Sequence, residues 1–503
     1  MKSFMKHWIS SCLIITAIWL MPLTAQPKII TILHTNDIHA SFLPQVATWV
    51  RSDPKPLIGG FNELQYIVDS IRHAIPNTLL LDAGDVMTGN PITEYPYRGA
   101  DGGALFEMMN QIGYECWALG NHDFDISVAN LNTLTHIATF PTVSANIQDL
   151  NGQYPVNNKP YVIIEKAGLK IGIIGLMSSD FYNLVNHKSG ETIQLLPTIP
   201  TMQKFIDEIR PQTDLVIALT HEGVQDDSLL AMSVTGLDVI VGGHSHTRLR
   251  TPKYVNNVVI VQTGSNCENL GELNLTVDHH KVISYNGKLI SLWYHPDRPK
   301  TKLSLFIDSI QTFIKYDYAE VIGSLKTAWT RGSGKEESGV GNFVADAQRE
   351  AAHADVGFMN SHGMRADKSA GPLTKQDLFE VLPFRNLLAT FEISGKQLKN
   401  IMTYYLTEHP AIQISGLQIE WKQPTSSGIE FVKFLVNGKP VEDEKIYTAA
   451  ASDYMIGDSK EYFGIEKLKA IYYDQTLFSA VEKKIHADKE ISSVIENRIK
   501  KVQ

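Results

Sequence analysis

Between residues 29 and about 292, short apolar runs alternate with polar turns rich in Asp, Asn, His and Gly. The run 29–33 leads into His34-Thr35-Asn36-Asp37-Ile38-His39, 78–81 into Asp82-Ala83-Gly84-Asp85, and 116–119 into Gly120-Asn121-His122-Asp123. Further on, 215–219 leads into Thr220-His221-Glu222-Gly223, and 238–241 into Gly242-Gly243-His244-Ser245-His246. Runs this short and this continuous read as buried strands, and segments with helical spacing, such as 61–72 and 202–210, fall between them. Alternating strands and helices predict an α/β domain whose polar residues gather at the strand ends, where such folds place their sites.

Pro296 and Pro299 interrupt this pattern. After them Leu303, Phe306, Ile307, Ile310, Phe313 and Ile314 recur at helical spacing, which predicts one connecting helix within 296–320. A second domain is expected over 321–503, opening with Gly339-Val340-Gly341-Asn342 before a helix to about residue 352. Its strands cannot be placed from the pattern. A length of 503 residues fits two or three domains.

The N-terminus adds a different kind of segment. Lys2 and Lys6 precede an apolar run over 8–23 that ends in Leu23-Thr24-Ala25, the order of a secretory signal peptide, so residues 1–25 are expected to be removed on export. The alternative is a retained anchor, but the run contains Ser10, Ser11 and Pro22 and is short for a membrane span. The mature domain would then begin at residue 26 and run to 295, and stable membrane insertion is not expected after cleavage. The formal charge of −9 becomes −11 once the two leader lysines are lost, which argues against a nucleic-acid polymer as partner. Cys116 and Cys267 alone remain beyond the leader, too few for a disulfide framework, and are expected to be buried free thiols.

The turns carry the candidate chemistry. Asp37, His39, Asp85, Asn121, His221, His244 and His246 offer carboxylate, imidazole and amide oxygen, a donor set for Mn, Zn, Fe or Co. On a strand-end turn alternate side chains point to one side, so Asp37 with His39, and His244 with His246, can converge. Seven ligands exceed the needs of one tetrahedral ion and suit two ions bridged by a carboxylate, for which Asp85 is the expected choice. Such a pair acidifies a bridging water and clamps the oxygens of a phosphoryl group. Any single histidine here could equally be a hydrogen-bonded structural residue. Five such turns, each after an apolar run, favour the dinuclear site.

His122 follows Asn121, near the ions without pointing at them, and so can stabilise or protonate a leaving oxygen. Asp125, three residues on, either orients His122 or caps the following helix; spacing alone leaves both open.

Asn36-Asp37-Ile38-His39, Gly84-Asp85, Gly120-Asn121-His122-Asp123-Phe124-Asp125, Thr220-His221-Glu222 and Gly242-Gly243-His244-Ser245-His246 resemble the ordered signature of the calcineurin-like metallophosphoesterases. More narrowly they resemble the exported 5'-nucleotidase and UDP-sugar hydrolase family, over nearly the whole mature chain. The resemblance implies an N-terminal metallophosphoesterase α/β sandwich, a linker helix and a C-terminal α+β nucleotide-recognition domain. It also implies the seven residues above as metal ligands with Asp85 bridging, and His122 beside Asp125 in catalysis.

In the second domain, Asn360-Ser361-His362-Gly363-Met364-Arg365 is similar to the family's Asn-x-Gly-Gly-x-Arg loop, and Leu382-Pro383-Phe384-Arg385-Asn386 to its Pro-Phe-Gly-Asn element. This implies substrate binding by Asn360, Gly363, Arg365, Phe384 and Asn386, with Tyr454 of Asp453-Tyr454-Met455-Ile456 facing Phe384 across a base. By its residue type alone, Phe384 reads as an ordinary core residue. Three positions depart from the family: Glu336 stands where an arginine is usual, Arg385 replaces a glycine, and Gly457-Asp458 is shorter than the usual Gly-Gly-Asp turn.

The implied function is hydrolysis of nucleoside 5'-monophosphates in the periplasm or outside the cell. Within the same fold the alternatives are UDP-sugar pyrophosphate, 2',3'-cyclic phosphodiester or thiosulfate-ester hydrolysis; outside it, an inactive nucleotide-binding surface protein. Gly332-Ser333-Gly334-Lys335 lacks the earlier glycine and following hydroxyl of a phosphate-binding loop.

Overall fold

The computed structural model describes residues 26–47, 49–331, 336–408, 411–425 and 428–502. The expected leader and the Gly332-Ser333-Gly334-Lys335 segment lie outside the described residues.

Two six-stranded sheets form the first domain. One has the order Lys281–Ser291, Asn269–Asp278, Lys28–Thr35, Thr78–Asp82, Cys116–Ala118 and Thr142–Val143. The other runs Tyr161–Lys166, Leu169–Met177, Leu215–His221, Val239–Gly242, Val258–Val261 and Lys253–Val255. The period of two along each strand decides what each face meets. Ile30, Ile32, Leu79 and Leu81 point from the first sheet onto Ile171, Ile173, Ile217 and Leu219 of the second, giving a core between the sheets. Leu33 and Leu80 point the other way, into a layer with Phe61, Leu64, Phe106 and Leu131 from helices. Ile174, Leu176 and Ile240 likewise meet Met202, Phe205, Ile206 and Leu230 on the far side of the second sheet. This is a sandwich of two sheets between two helical layers, the α/β architecture expected.

Parallel neighbours Lys28–Thr35, Thr78–Asp82 and Cys116–Ala118 end on the same edge of their sheet. Leu215–His221 and Val239–Gly242 are likewise parallel neighbours in the other. All five therefore deliver their polar turns to one rim, the usual position of a site in an open α/β sheet.

The helix over Lys302–Tyr318 starts with Thr301, whose hydroxyl accepts the Ser304 N–H in a capping box. Its Leu303, Ile307, Ile310 and Ile314 pack into the helical layer of the first domain, so the connecting helix is part of that domain's core. Phe313, at the edge of the apolar stripe, is 57% exposed and stacks on Tyr95.

Strands the sequence pattern left unplaced form a mixed sheet in the second domain. Its order is Ile412–Ser415, Val356–Asn360, Ile446–Ser452, Leu387–Ser394 and Ile471–Thr476. Helices Gly339–Ala351 and Gly395–Glu408 and two smaller sheets complete an α+β unit. Cys116 and Cys267 are free and buried.

Candidate active site

At the rim, five of the candidate ligands have left-handed backbones: Asp37 (φ 50°), His39 (φ 47°), Asp85 (φ 58°), His244 (φ 74°) and His246 (φ 51°). Extended alternation was the reason given above for the convergence of Asp37 with His39 and of His244 with His246. The structure corrects that reason: each chain curls through the αL region, a conformation costly for a residue with a Cβ and concentrated at functional sites. The curl is tight enough that Gly84 (φ 92°) leaves no space for a Cβ between Gly120 and His221, and Gly120 none beside Asp85.

The curled turns bring their side chains together. His221 Nε2 lies 3.1 Å from Asp85 Oδ2 and 3.9 Å from Asp37 Oδ1. His246 Nε2 is 3.3 Å from Asp37 Oδ1 and 3.0 Å from His39 Nε2. Two groups of donors are close enough to hold an ion each, Asp37 with His39 and His246, and Asp37 with Asp85 and His221. Asp37 belongs to both groups, whereas the shared position was expected for Asp85. Asp85 Oδ2 nonetheless faces both sides, 3.1 Å from His221 and 4.0 Å from His39. Asn121 is buried beside them, and the His244 ring is centred 5.2 Å from that of His221.

The donor chemistry calls for cations. His221 Nδ1 lies 2.7 Å from the Ala83 carbonyl, which can only accept, so Nδ1 carries the hydrogen and Nε2 turns its lone pair toward the carboxylates. That Nε2 and the Oδ1 of Asn121 are both buried without a hydrogen-bond partner. A protein seldom leaves buried polar atoms so unless something else binds them. Left to protons alone, burial opposes a charge on His221, but the Asp85 and Asp37 carboxylates override it and push its pKa up to about 10. The set therefore fits divalent ions.

Supporting residues fix the ligands. Asn36 donates to Asp37 Oδ2 (2.6 Å) and to the Gly264 carbonyl, while its Oδ1 accepts from Thr263. Gln262 accepts the Thr247 N–H and donates to the Gly243 carbonyl, bracing the His244–Ser245–His246 turn. Asp123 was quoted in the motif above without a role. Its carboxylate accepts backbone N–H groups from Asp85, Val86, Met87 and Gly120, tying two ligand-bearing loops together.

His122 is half-buried. Its Nδ1 donates to Asp125 Oδ2 at 2.8 Å, and Thr88 donates to the same oxygen at 2.6 Å. Burial works against its charged form, yet Asp125 and Asp85 together raise its pKa to about 9. The cap of the next helix is Ser127, whose Oγ accepts the Asn130 N–H. Of the two readings of Asp125, the structure thus selects the partner of His122.

The second domain closes over this rim. One cavity of about 580 Å3 is lined by His39, Asp85, Asn121, His122, His244 and His246 from the first domain. From the second come Asn360, Gly363, Arg365, Phe384, Asn386 and Tyr454, every one of the residues singled out there. Phe384 is only partly buried and stacks on His122, with Arg365 5.7 Å from its ring centroid, so it is no core residue. Tyr454 lines the same cavity as Phe384 and packs against Tyr462. Arg385 also lines the cavity and reaches Glu94 of the first domain at 3.8 Å. Glu336 and Asp458 do not line it. Asp453, which the sequence reading passed over, does, through a carboxylate that accepts the Leu387 and Tyr454 N–H groups.

Comparison with known proteins bears on both halves. A family model described as calcineurin-like phosphoesterase matches residues 30–248, and one described as 5'-nucleotidase, C-terminal domain, matches 321–465. The chain is 29% identical to a 5'-nucleotidase of Diplobatis ommata over 94% of this chain and 90% of that one. It is also 29% identical to a human 5'-nucleotidase, again over 94% and 90%. Among solved structures, a 5'-nucleotidase precursor from Thermus thermophilus superposes with a TM-score of 0.74 at 25% identity, covering 94% of this chain and 99% of that one.

Proposed function

The chain belongs to the 5'-nucleotidase family of calcineurin-like phosphoesterases, and from that premise we propose that it hydrolyses nucleoside 5'-monophosphates to nucleoside and phosphate with two divalent ions. The carrying observation is that the donors His39, Asp85, Asn121, His244 and His246 and the second-domain residues Arg365, Phe384 and Tyr454 line one cavity.

In this reading Asp37, His39, Asp85 and His246 would hold one ion, and Asp85, Asn121, His221 and His244 the other. The ions would supply Lewis-acid stabilisation of phosphoryl oxygens and an acidified water. His122, charged and aimed by Asp125, directs its free Nε2–H at the oxygen where charge develops. Arg365 offers a planar fork of donors to an anion, Phe384 and Tyr454 offer ring faces to a base of any kind, and Asn386 a directional hydrogen bond. Asn360 and Gly363 shape the loop that carries Arg365.

Export follows from the leader-like residues 1–25, with cleavage near Ala25 and a periplasmic or extracellular destination. Among the described residues no helix is long and apolar enough to cross a membrane.

Incubating Mn- or Co-loaded protein with AMP, UDP-glucose, 2',3'-cyclic AMP and thiosulfate tests the reading. Fastest release from AMP is expected; a clear preference for one of the other three would replace the monophosphate assignment, and no turnover of any would favour the binding protein.

A further inference from the structure

Next to the catalytic cavity, the first domain has a second one of about 400 Å3, walled by Trp49, Trp293, Arg248, Arg250, Lys288 and Glu268. Its two indoles are open to solvent, Trp49 by 50% and Trp293 by 38%, whereas Trp117 and Trp329 are fully buried. Large rings left uncovered on one concave wall mark a contact surface, unlike single apolar residues scattered over an exterior.

The charges around the rings are placed with care. Arg248 lies 5.1 Å from the Trp49 ring centroid and pairs with Glu268. Lys288 pairs with Glu272 at 3.2 Å. Arg250 has neither ion pair nor hydrogen bond among the described residues, which leaves a surplus cation at this wall in a chain of net charge −9. A ligand with a flat ring and a negative charge suits such a wall.

Three chain segments serve both cavities. Gln45, His246 and Asn266 line the catalytic one, while Trp49, Arg248 and Glu268, two to four residues further along, line the other. Two residues of extended chain span at most ~7 Å. The stem of Arg248 also lies against Gly264, leaving no room there for a Cβ, and the next two residues, Ser265 and Asn266, face the catalytic cavity. The two cavities are therefore neighbours, separated by a few residues of shared chain.

We propose that the second cavity binds the distal half of a dinucleoside polyphosphate whose proximal nucleotide occupies the catalytic cavity. This rests on the phosphohydrolase reading above. The polyphosphate bridge meets Arg250 and Arg248, and the second base stacks on Trp49 or Trp293. In the hydrolysis, the oxygen of water joins one phosphorus and the bond from that phosphorus to the bridging oxygen breaks. The bridging oxygen departs on the other phosphate, and the protons of water pass to the products or to solvent.

The test uses the full chain loaded with Mn, with AMP and diadenosine tetraphosphate as substrates, and the variants Trp49→Ala and Arg250→Ala. Each variant is expected to raise KM for the tetraphosphate roughly 5- to 50-fold while kcat/KM for AMP stays within about twofold. An unchanged KM for the tetraphosphate overturns the proposal, as does an equal loss on both substrates. A parent protein that hydrolyses AMP but not the tetraphosphate overturns it and leaves the nucleotidase reading standing; failure on AMP strikes that reading first. Quenching of Trp49 fluorescence by excess AMP as strong as that by the tetraphosphate would mean a separate nucleotide sits there, and the distal-half assignment would fall.

Discussion

Phe384 of the second domain lies on the imidazole of His122 of the first, ring centroids 5.6 Å apart and planes inclined by 21°. The residues proposed for base recognition and for the chemistry are therefore stacked on one another. His122 is held from the other side by Asp125 at 2.8 Å, so its ring is fixed between a carboxylate and an aromatic face. In the proposed reading, binding energy from a base and stabilisation of the phosphoryl group converge on one imidazole.

Truncating Phe384 separates the two contributions. Phe384→Ala removes a stacking surface worth about 1 to 3 kcal/mol per base, so KM for AMP is expected to rise roughly 5- to 100-fold with a smaller change in kcat. Phe384→Tyr keeps the ring face and should restore KM. Steady-state kinetics on AMP decide it, and a fall in kcat alone would contradict a binding role.

At His122 the loss should appear in turnover. His122→Ala removes the charged donor, and kcat is expected to drop roughly 100- to 1,000-fold with little change in the KM for AMP. Asp125→Asn keeps the size of the side chain but not its charge, and should lose an intermediate amount. Equal activity of both variants and the parent would remove His122 from the mechanism.

The metal assignment has a readout apart from activity. The carboxylates of Asp37 and Asp85 are buried with His221 between them, and ligands that bind only the native state stabilise it. Chelation should lower the unfolding temperature. Titrating Mn or Zn back should raise it with increasing metal concentration, by about 4 kcal/mol of stabilisation at a thousandfold excess over Kd. Asp85→Ala should abolish that response.

Asp123 offers a test of how the rim is held. Four backbone N–H groups end on its buried carboxylate, and Asp123→Ala would strand them at a cost of about 3 kcal/mol or more. Asp123→Asn retains one acceptor oxygen and should lose less. Denaturant melts of the metal-free variants measure both, and a loss under about 0.5 kcal/mol for alanine would show that the loops do not depend on it.

What the sequence conveyed and what it hid at this rim have separable causes. The strands were legible because their apolar runs are continuous, and the seven candidate ligands because each sits where such a run ends. The αL conformation of Asp37, His39, Asp85, His244 and His246 was hidden, since only glycine and sometimes asparagine advertise a positive φ. Asp123 was on the page but its role was not, because it acts through backbone N–H groups that no residue type reveals. The strands of the second domain were illegible for a related reason: Ile446–Ser452 is largely Ala, Thr and Ser, apolar enough to be central but without β-branched runs.

Asp453 gives the last prediction, and its sign follows from linkage. The residue is 6% exposed, and burial raises its pKa from 3.8 to about 7 even though the Tyr454 and Leu387 N–H groups favour the ionised form. A native pKa above the unfolded value means that the folded chain holds this proton more tightly. Stability from this group is therefore full below pH ~4 and is withdrawn as the pH climbs from the unfolded pKa through about 7. Asp453→Asn keeps the oxygen that accepts both N–H groups and removes the charge. The variant should match the parent at pH ~3 and exceed it at pH ~8, by an amount on the order of 4 kcal/mol. Thermal melts at the two pH values check it: an equal shift at both would assign the effect to packing, and a variant less stable at pH ~8 would show that the ionised carboxylate is satisfied by partners across the cavity.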